Sequence, residues 1–212
     1  MKVVLFRHGE TEWNGARRLQ GQQNLSLSEV GRSQVAAAAS LVQRLTPDMV
    51  VASPLARASE SAVELGYPEF HVEHRLAERC LGTWEGKFAR DVVDQEGDNY
   101  QHWREGTYDP PGSESIDAFR TRVMEGLQSV LALAAEQEAS TLLIATHGGV
   151  IRALMDLTVG LDQSRAVPLH PASISVLDIA DGGAGTGGKR LGVVKLRLYN
   201  WTSEYLAEPA TE

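Results

Sequence analysis

Residues 3 to 14, VVLFRHGETEWN, constrain the fold more than any other stretch of this sequence. They begin with a short, continuous apolar run rich in β-branched residues, which is typical of a strand covered on both faces. The run breaks at Gly9, directly after Arg7 and His8. The stretch therefore predicts a buried strand with a guanidinium and an imidazole at its carboxyl end, although a strand that merely ends in polar residues is an alternative.

Two later stretches repeat this arrangement. MVVASPL, residues 49 to 55, and TLLIAT, residues 141 to 146, are also short patterns of a buried strand. The first precedes a predicted helix with Arg57 in its first turn, and the second precedes His147 and a glycine pair. Because loops at the carboxyl ends of strands converge on one crevice in open α/β sheets, we expect these basic groups to meet Arg7 and His8 there.

The segments between these strands carry helical patterns. Ser26 and Glu29 have the spacing of a capping box, which predicts a helix from there to about Leu45. Residues 116 to 134 have the strongest helical period in the chain. Apolar strand patterns that alternate with helical patterns are typical of an α/β protein.

Near the carboxyl end, SISVLDIA and LGVVKLRLYNW flank a glycine-rich turn and predict two paired strands. In the second strand Val194, Leu196 and Leu198 alternate with Lys195, Arg197 and Tyr199, which predicts one buried and one exposed face. Together the patterns predict an α/β fold: a three-layer α/β/α sandwich with a mostly parallel mixed sheet and an antiparallel edge hairpin.

Residues 84 to 112 are polar and aromatic and interrupt this alternation. They predict short helices that form a lid-like insertion over the crevice, a common place for substrate selection. A surface excursion with its own small aromatic cluster is the alternative. Since 212 residues suffice for one large core, we expect a single domain over residues 1–212. The tail from about Glu204 is expected to be frayed or lid-like.

Composition argues against several classes of protein. A hydrophobic content of 42% is ordinary for a soluble globular protein, and no secretion signal or membrane span is evident, so we expect a cytoplasmic protein. The single cysteine, Cys80, permits no internal disulfide, which fits a reducing compartment. The formal net charge of −8 argues against a nucleic-acid partner or a membrane-surface partner, because both depend on broad basic faces.

The predicted crevice suits a phosphoryl group. Two arginines supply fixed cations, and two histidines can attack the group or hydrogen-bond to it. The Gly148-Gly149 pair adds backbone N–H groups at a helix start, where phosphate oxygens are favoured. Protein groups alone would thus neutralise the phosphoryl charge, and we expect neither a metal nor another cofactor. The His71 and His74 pair beside Glu73 lacks further ligands and is expected to be a surface feature.

Five ordered segments resemble the signature segments of the histidine phosphatase superfamily, also called the phosphoglycerate mutase-like fold. They span residues 3 to about 152 and read RHGETEWN, SPLARASESA, LAERCLGTWEG, PPGSES and THGGVIR. A lone RHG is a weak signal, whereas five blocks in a consistent order are specific. Departures at Asn24-Leu25-Ser26-Leu27, Ser113 and Ser61 remove no catalytic group, but they weaken any inference about the substrate.

The resemblance implies a role for each matching residue. His8 would be the nucleophile that forms a phosphohistidine. Glu78 would protonate the leaving oxygen and then deprotonate water. Arg7, Arg57 and His147 would hold the phosphoryl oxygens and spread their charge. Hydrogen bonds to phosphate or to the rest of the substrate are expected from Asn14, Gln20, Gly21 and Gly148.

Four other residues in the matching blocks have simpler expected roles. Trp84 is expected to pack against the core, and Cys80 to be a small buried filler rather than a second nucleophile. Glu114 and Ser115 are expected at the rim of the site, with capping of the following helix as the alternative for Ser115.

Three functions remain open at this point. The first is a metal-independent phosphatase for a small phosphorylated metabolite, the second a cofactor-dependent phosphoglycerate mutase, and the third a non-catalytic module that binds a phosphate ligand. Mutases of this family generally carry an insertion rich in arginine and proline and a basic tail. Residues 87 to 109 contain only three lysines and arginines, and the tail from Glu204 is acidic, which favours hydrolysis. No catalytic group is missing, which disfavours the binding module.

Within the phosphatases, the QGQ, LGTWEG and KLRLYNWTSEYL segments are most similar to the actinobacterial type that acts on glucosyl-3-phosphoglycerate. That ester is the candidate substrate, ahead of those of broad-specificity and α-ribazole phosphatases. An edge hairpin leaves a strand that could pair with a second copy, so a homodimer is also among the expected assemblies.

Overall fold

The computed structural model describes residues 1–162, 165–180 and 191–203. The strands are β1 (Lys2–Arg7), β2 (Met49–Ala52), β3 (His71–Val72), β4 (Thr141–Thr146), β5 (Ile174–Ile179) and β6 (Val194–Trp201). They form one sheet in the order β3-β2-β4-β1-β5-β6. Strands β1 to β4 are parallel, whereas β5 is antiparallel to both β1 and β6. The predicted mixed sheet with an antiparallel edge hairpin is therefore confirmed.

Helices cover both faces of this sheet. They are α1 (Glu12–Gly15), α2 (Glu29–Arg44), α3 (Ala56–Glu64), α4 (Ala89–Glu96), α5 (Asp98–Glu105), α6 (Ile116–Glu136) and α7 (Gly148–Val159). Helices α2 and α3 lie on one face, and α6 and α7 lie on the other. Single turns of 3₁₀ helix occur at His74–Leu76 and Gly82–Trp84.

The sheet has a hydrophobic core on each of its faces, which explains why its strands are continuous apolar runs in the sequence. Successive strand residues point to opposite faces of a sheet. Val3 and Leu5 of β1 therefore join one buried cluster with α6 and α7, while Val4 and Phe6 join another with α2 and α3. Because both faces are covered, neither side of β1 can be polar, and the predicted three-layer sandwich is confirmed.

The cap predicted for α2 was wrong. The helix begins at Glu29, and its cap is Ser28 rather than Ser26, because the Ser28 hydroxyl accepts the Gly31 N–H at 3.0 Å. The Ser28 N–H also donates to the carbonyl of Glu10 at 2.9 Å. This contact with the loop after β1 fixes the start of the helix, and a local sequence pattern does not reveal it.

The predicted alternation of faces in β6 was also partly wrong. Leu196 is 39% exposed, whereas Tyr199 packs against the cluster that contains α6 and α7. Register shifts interrupt the pairing of β5 with β6 on either side of Val176. A shift of one residue moves the following side chains to the other face, so strict alternation does not hold.

Residues 84 to 112 combine the two predicted alternatives. They contain the short helices α4 and α5, and they build a separate aromatic cluster around Trp84, which is fully buried as expected. The rings of Tyr100, Trp103 and Tyr108 lie 5.7 to 6.2 Å from the Trp84 ring. A lid function for this segment stays a prediction. Cys80, expected to be buried, is only half-buried and donates its thiol hydrogen to Glu85.

Two predicted features fall outside the described residues, namely the glycine-rich turn of the hairpin and the tail from Glu204. Within the described ranges, no helix combines the length and apolar character needed to cross a bilayer.

Candidate active site

The sheet brings the predicted basic groups together. Arg7 ends β1 opposite Thr146 of the neighbouring parallel strand β4, so His8 and His147 leave the sheet side by side. Their ring centroids are 5.2 Å apart. Arg57, in the first turn of α3, donates from Nε to Nε2 of His8 at 3.2 Å. The convergence that the strand patterns predicted is therefore present.

His8 is held as a neutral imidazole with a defined tautomer. Its Nδ1 lies 2.7 Å from the carbonyl oxygen of Gly9, which only accepts, so Nδ1 carries the hydrogen. The lone pair is then on Nε2, which faces Arg57. Burial, followed by the charges of Arg57 and Arg7, holds the pKa of His8 well below its ordinary value. A neutral imidazole with a free Nε2 lone pair is the form that can attack phosphorus.

His147 is also buried and uncharged. Burial is the largest cause that lowers its pKa, and the charge of Arg57 is the next. Its Nε2 lies 2.6 Å from the hydroxyl oxygen of Ser53, which follows β2. Its Nδ1 is buried without a hydrogen-bond partner among the described residues. A buried nitrogen of this kind is costly unless a ligand satisfies it, and a phosphoryl oxygen would do so.

Both arginines are fixed by backbone carbonyls. One terminal nitrogen of Arg7 donates to Leu169, while its Nε is buried without a partner in the described part of the chain. Arg57 donates to the carbonyls of Gln23 at 2.7 Å and Gly21 at 2.9 Å. Burial is the main cause that lowers the pKa of each arginine to about 10, so both are cations at neutral pH.

Glu78 lies at the same cavity, between two backbone donors. Its carboxylate accepts the N–H of Gly149 at 3.0 Å and that of Arg79 at 2.8 Å. The Gly149 donor belongs to the first turn of α7. The matched sequence segment thus places a carboxyl group at the cavity that His8 also lines.

The chain segment that carries Glu78 is anchored by Arg122 of α6. This guanidinium donates to the carbonyls of Arg75, Ala77 and Glu78 at 2.7 to 3.0 Å. Glu114 in turn holds the guanidinium through two hydrogen bonds of 2.6 and 2.7 Å. Glu114 was expected at the rim of the site. In the structure its carboxylate binds Arg122, the residue that anchors the Glu78 segment.

The four predicted substrate-binding residues all line the cavity. Asn14 also accepts the N–H of Thr11 and so completes the capping box of α1. Gln20 is buried, and its Oε1 has no hydrogen-bond partner among the described residues. Gly21 has a φ of +54°, and its carbonyl holds Arg57. A Cβ at Gly148 would lie 3.4 Å from Nε of Arg7.

Ser115 has the alternative role that was expected for it, because its hydroxyl caps α6.

Several residues at the site were not predicted. Ser53 contacts His147 and Arg122 contacts the segment of Glu78, both far away in sequence, so no local pattern indicates these roles. Arg152 lines the cavity from α7, four residues after Gly148. That spacing places both residues on one helix face and was the signal that could have identified Arg152. Arg104 of α5 lines the same cavity.

Metal-ligating side chains do not cluster in the described part of the chain: no group of three or more His, Cys, Asp or Glu residues could hold an ion. His71 and His74 are exposed, and Glu73 pairs with Arg75 at 2.7 Å instead. The feature that we expected to lie at the surface therefore does so.

Comparison with known proteins agrees with this geometry. The sequence profile of the histidine phosphatase superfamily (branch 1) matches residues 3–186. The metal-independent phosphoserine phosphatase of Arabidopsis thaliana is 34% identical over 189 residues, which cover 85% of this chain and 77% of that protein. The glucosyl-3-phosphoglycerate phosphatase of Mycobacterium tuberculosis is 35% identical over 163 residues, which cover 72% of this chain and 73% of that protein.

A solved structure gives the same result for the fold. The mycobacterial glucosyl-3-phosphoglycerate phosphatase in complex with VO3 superimposes with a TM-score of 0.78 at 28% identity, covering 94% of this chain and 98% of that one. The expected family, fold and phosphatase class of enzyme are confirmed by these matches. The chain therefore belongs to the histidine phosphatase superfamily.

Proposed function

We propose that this protein hydrolyses a phosphate monoester of a small metabolite, with His8 as the nucleophile and Glu78 as general acid and base. The observation that carries the proposal is the neutral His8, whose Nε2 lone pair lies beside Arg57 while its Nδ1–H is held by Gly9. Nε of Arg57 lies 3.2 Å from this Nε2, the ring of His147 lies 5.2 Å from the His8 ring, and Arg7 directly precedes His8. Such preorganised donors typically contribute on the order of 10²-fold or more each in rate.

In the first step, Nε2 of His8 attacks phosphorus and forms an N–P bond while the P–O ester bond breaks. The leaving oxygen takes the proton of Glu78 and departs as an alcohol. Nε of Arg57 shifts from Nε2 of His8 to a phosphoryl oxygen. The buried Arg7 Nε and His147 Nδ1, which lack partners among the described residues, donate to the other oxygens.

In the second step, a water oxygen attacks phosphorus, and the N–P bond breaks. The Glu78 carboxylate takes a proton from the water, so that inorganic phosphate leaves and both catalytic groups are restored. The Gly149 and Arg79 N–H groups keep the carboxyl group at the cavity through both steps. No charge in this cycle needs a metal ion, because the cations Arg7 and Arg57 offset the phosphoryl charge.

The candidate substrate is glucosyl-3-phosphoglycerate. The support comes from a relative with that name in Mycobacterium tuberculosis and from the structural similarity to a mycobacterial enzyme of the same name. Phosphoserine is a second candidate, since the Arabidopsis relative is named for it. The cavity of about 790 Å³ has room for substrates larger than phosphoserine.

The test is a panel of phosphorylated sugars, phosphoglycerates, phosphoserine and nucleotides, assayed for phosphate release with EDTA present. We expect sustained release from at least one small monoester, unchanged by the chelator, and loss of release in His8→Ala. Interconversion of 2- and 3-phosphoglycerate that exceeds phosphate release would identify a mutase instead. Phosphate binding without turnover of any ester would identify a binding module.

A further inference from the structure

Arg57 depends on a loop for its position at the site. Its Nε faces Nε2 of His8, while its two terminal nitrogens donate to the carbonyls of Gly21 at 2.9 Å and Gln23 at 2.7 Å. Those carbonyls belong to the loop of residues 20 to 24, which is neither helix nor strand. An irregular segment keeps its shape through its contacts with neighbouring elements, so the contacts of this loop decide where Arg57 lies.

Glu85 holds this loop. One of its carboxylate oxygens accepts the backbone N–H of Gln22 at 2.9 Å, and the other accepts a side-chain N–H of Gln23 at 2.8 Å. A Cβ at Gly21 would overlap the first of these oxygens, so the loop approaches the carboxylate as closely as a glycine allows. Glu85 therefore contacts the part of the loop that contains both carbonyl partners of Arg57.

The Glu85 carboxylate is itself fixed. The oxygen that accepts the Gln22 N–H also accepts the N–H of Leu81 at 3.1 Å, and the Cys80 thiol donates to the carboxylate. Burial acts to raise the pKa of Glu85, but the hydrogen bonds outweigh it and hold this pKa below its ordinary value. Glu85 is thus ionised at neutral pH, and a charged acceptor forms hydrogen bonds about twice as strong as a neutral one does.

The charge of Glu85 also acts on Arg57. Burial lowers the pKa of Arg57, and the negative charges of Glu78 and Glu85 oppose that effect. Glu85 is therefore close to Arg57, although the cavity lining in the described part of the chain does not include it. A carboxylate in this place influences the reaction through its neighbours rather than by contact with the substrate.

Two other contacts hold the loop of residues 20 to 24. Asn24 accepts the N–H of Ala56 at 2.8 Å, and the Gln22 side chain donates to the carbonyl of Glu78 at 3.0 Å. Each is a single hydrogen bond between neutral groups, whereas Glu85 is a charged acceptor of two hydrogen bonds from the loop. The contact with Glu85 is therefore the one on which the position of the two carbonyls depends most.

We propose that Glu85 is a positioning residue that keeps Arg57 at the phosphoryl site by holding the loop of residues 20 to 24. The inference rests on the proposed phosphatase function and adds to it a residue that does not touch the substrate. Without Glu85, the loop carbonyls shift and the guanidinium no longer lies against Nε2 of His8, where the phosphoryl group binds.

The test is a double-mutant cycle with p-nitrophenyl phosphate as the substrate. Glu85→Ala should lower kcat/KM about tenfold or more, because Arg57 is no longer held in place. In an Arg57→Ala background the same change should lower kcat/KM by less than about twofold, because the residue through which Glu85 acts is missing. A purely structural role would give the same factor in both backgrounds and would overturn the proposal.

A second ester separates Arg57 from the proton donor. Arg57 acts on the phosphoryl group, so Glu85→Ala should lower kcat/KM for glycerol 3-phosphate and p-nitrophenyl phosphate by the same factor. A larger loss on glycerol 3-phosphate, whose leaving group needs a proton, would show that Glu85 acts through Glu78 instead.

Glu85→Gln separates position from charge. It keeps an oxygen for the N–H groups of Gln22 and Leu81, so it should recover most of the activity that Glu85→Ala loses. Equal losses in the two variants would show that the carboxylate acts by its charge and not by holding the loop.

Asp48→Ala is the matched control. The Asp48 carboxylate also joins two chain segments, since it accepts the N–H groups of Ser140 and Thr141 at 2.9 Å and the Ser140 hydroxyl at 2.7 Å. These bonds lie at the amino end of β4, whereas His147 follows its carboxyl end. The variant should lose stability but keep its kcat/KM on both esters.

Two further measurements decide the question if Glu85→Ala or Arg57→Ala fails to fold. Gln23→Ala removes one hydrogen bond to Glu85 from an exposed side chain, and it should lower kcat/KM about threefold with Arg57 present but not in its absence. The NMR signal of the Arg57 Nε–H should shift or broaden in Gln23→Ala and stay unchanged in Asp48→Ala. An unchanged signal in Gln23→Ala would overturn the proposal, whereas absence of phosphate release from every ester in the wild-type protein would contradict the proposed function itself.

Discussion

The hydroxyl oxygen of Ser53 lies 2.6 Å from Nε2 of His147. The same oxygen accepts the N–H of Leu55 at 3.3 Å, so its own hydrogen is available for the imidazole. If the hydroxyl donates to Nε2, the hydrogen of the neutral ring is on Nδ1, the atom that is buried without a partner in the described residues. Ser53 thereby makes His147 a donor toward the phosphoryl site.

Ser53→Ala should therefore lower kcat about tenfold or more, because the His147 tautomer is no longer fixed. Nitrogen NMR of the imidazole should show protonated Nδ1 in the wild-type protein and a mixture of tautomers in the variant. Ser59→Ala is the control, since in the described structure the Ser59 hydroxyl bonds to the carbonyls of Leu55 and Ala56 at the start of α3. An unchanged tautomer in Ser53→Ala would contradict this role.

The pairing of Glu114 with Arg122 predicts that a Glu114 variant loses different amounts of activity on esters with different leaving groups. Because Arg122 anchors the segment that carries Glu78, Glu114→Gln should displace the proton donor. Hydrolysis of an alkyl phosphate should fall about tenfold or more, whereas p-nitrophenyl phosphate, whose leaving group needs little protonation, should be affected less. Steady-state kinetics with both esters measure this difference.

Arg32→Met serves as the control for that pair. Arg32, like Arg122, is an arginine held by carboxylates. Its partners are Glu60 and Glu64, and they lie at the surface, where the Arg32 side chain is 45% exposed. Exposed pairs of this kind contribute about 0–1 kcal/mol, so this variant should retain activity on both esters. An equal loss on the two esters in Glu114→Gln would show that the pair does not act through Glu78.

Alanine variants at Gly21 and Gly97 distinguish the effect of backbone strain from the effect of a clash at the site. The two glycines have φ angles of +54° and +56°, so alanine carries a conformational cost at each position, and at Gly97, whose ψ is −125°, the backbone lies outside the left-handed helical region. A Cβ on Gly21 would lie 2.0 Å from Oε1 of Glu85, whereas a Cβ on Gly97 meets nothing within 4 Å. Glu85 binds the loop whose Gly21 carbonyl holds Arg57.

Gly97→Ala should therefore lose stability only through this strain and keep its activity. Gly21→Ala should lose stability and also raise KM, because the loop that holds Arg57 must move away from Glu85. Urea unfolding and steady-state kinetics of the two variants test this. Equal behaviour of the two variants would show that the contact with Glu85 has no role at the site.

The buried histidines predict how stability changes with pH. Burial and nearby arginine charges hold the pKa values of His8 and His147 well below the ordinary 6.5. Below pH 6.5 the unfolded chain therefore binds protons that the folded protein does not. The free energy of unfolding should fall as the pH is lowered through this window, by up to about 1.4 kcal/mol per pH unit for each histidine.

Urea unfolding at several pH values between 7.5 and 5.5 measures this slope. His147→Gln removes one of the two histidines, so its slope should be smaller than that of the wild-type protein. Above pH 7.5 both histidines are neutral in either state, and the two slopes should agree. A variant with the full wild-type slope at acidic pH would contradict the neutral state of His147.

Sequence patterns located the sheet and the basic residues at its edge. A strand is visible as a short apolar run, and the basic residues follow such runs within a few positions. An apolar run such as β1 indicates a strand that is buried on both faces, and Arg7 and His8 follow it directly. The rule that parallel strands end at one crevice then brings in Arg57 and His147. Glu78 required the family resemblance, since its segment has no regular period.

The residues that sequence reasoning missed act across the chain. Ser53 and His147 are 94 positions apart, and Arg122 is 44 positions from Glu78. The true cap of α2 depends on Glu10 in another loop, and the faces of β6 depend on register shifts. Hydrogen bonds between distant segments produce no pattern of spacing in a single sequence, so the structure is needed to identify them.

The most direct test of the account is to trap the covalent intermediate. The protein is mixed with a monoester labelled in its phosphoryl group, quenched in alkali within the first turnover, and digested for mass spectrometry. We predict one phosphoryl group on Nε2 of His8, lost on acid treatment and missing in His8→Ala. Turnover without label on His8, or label on another residue, would contradict the mechanism.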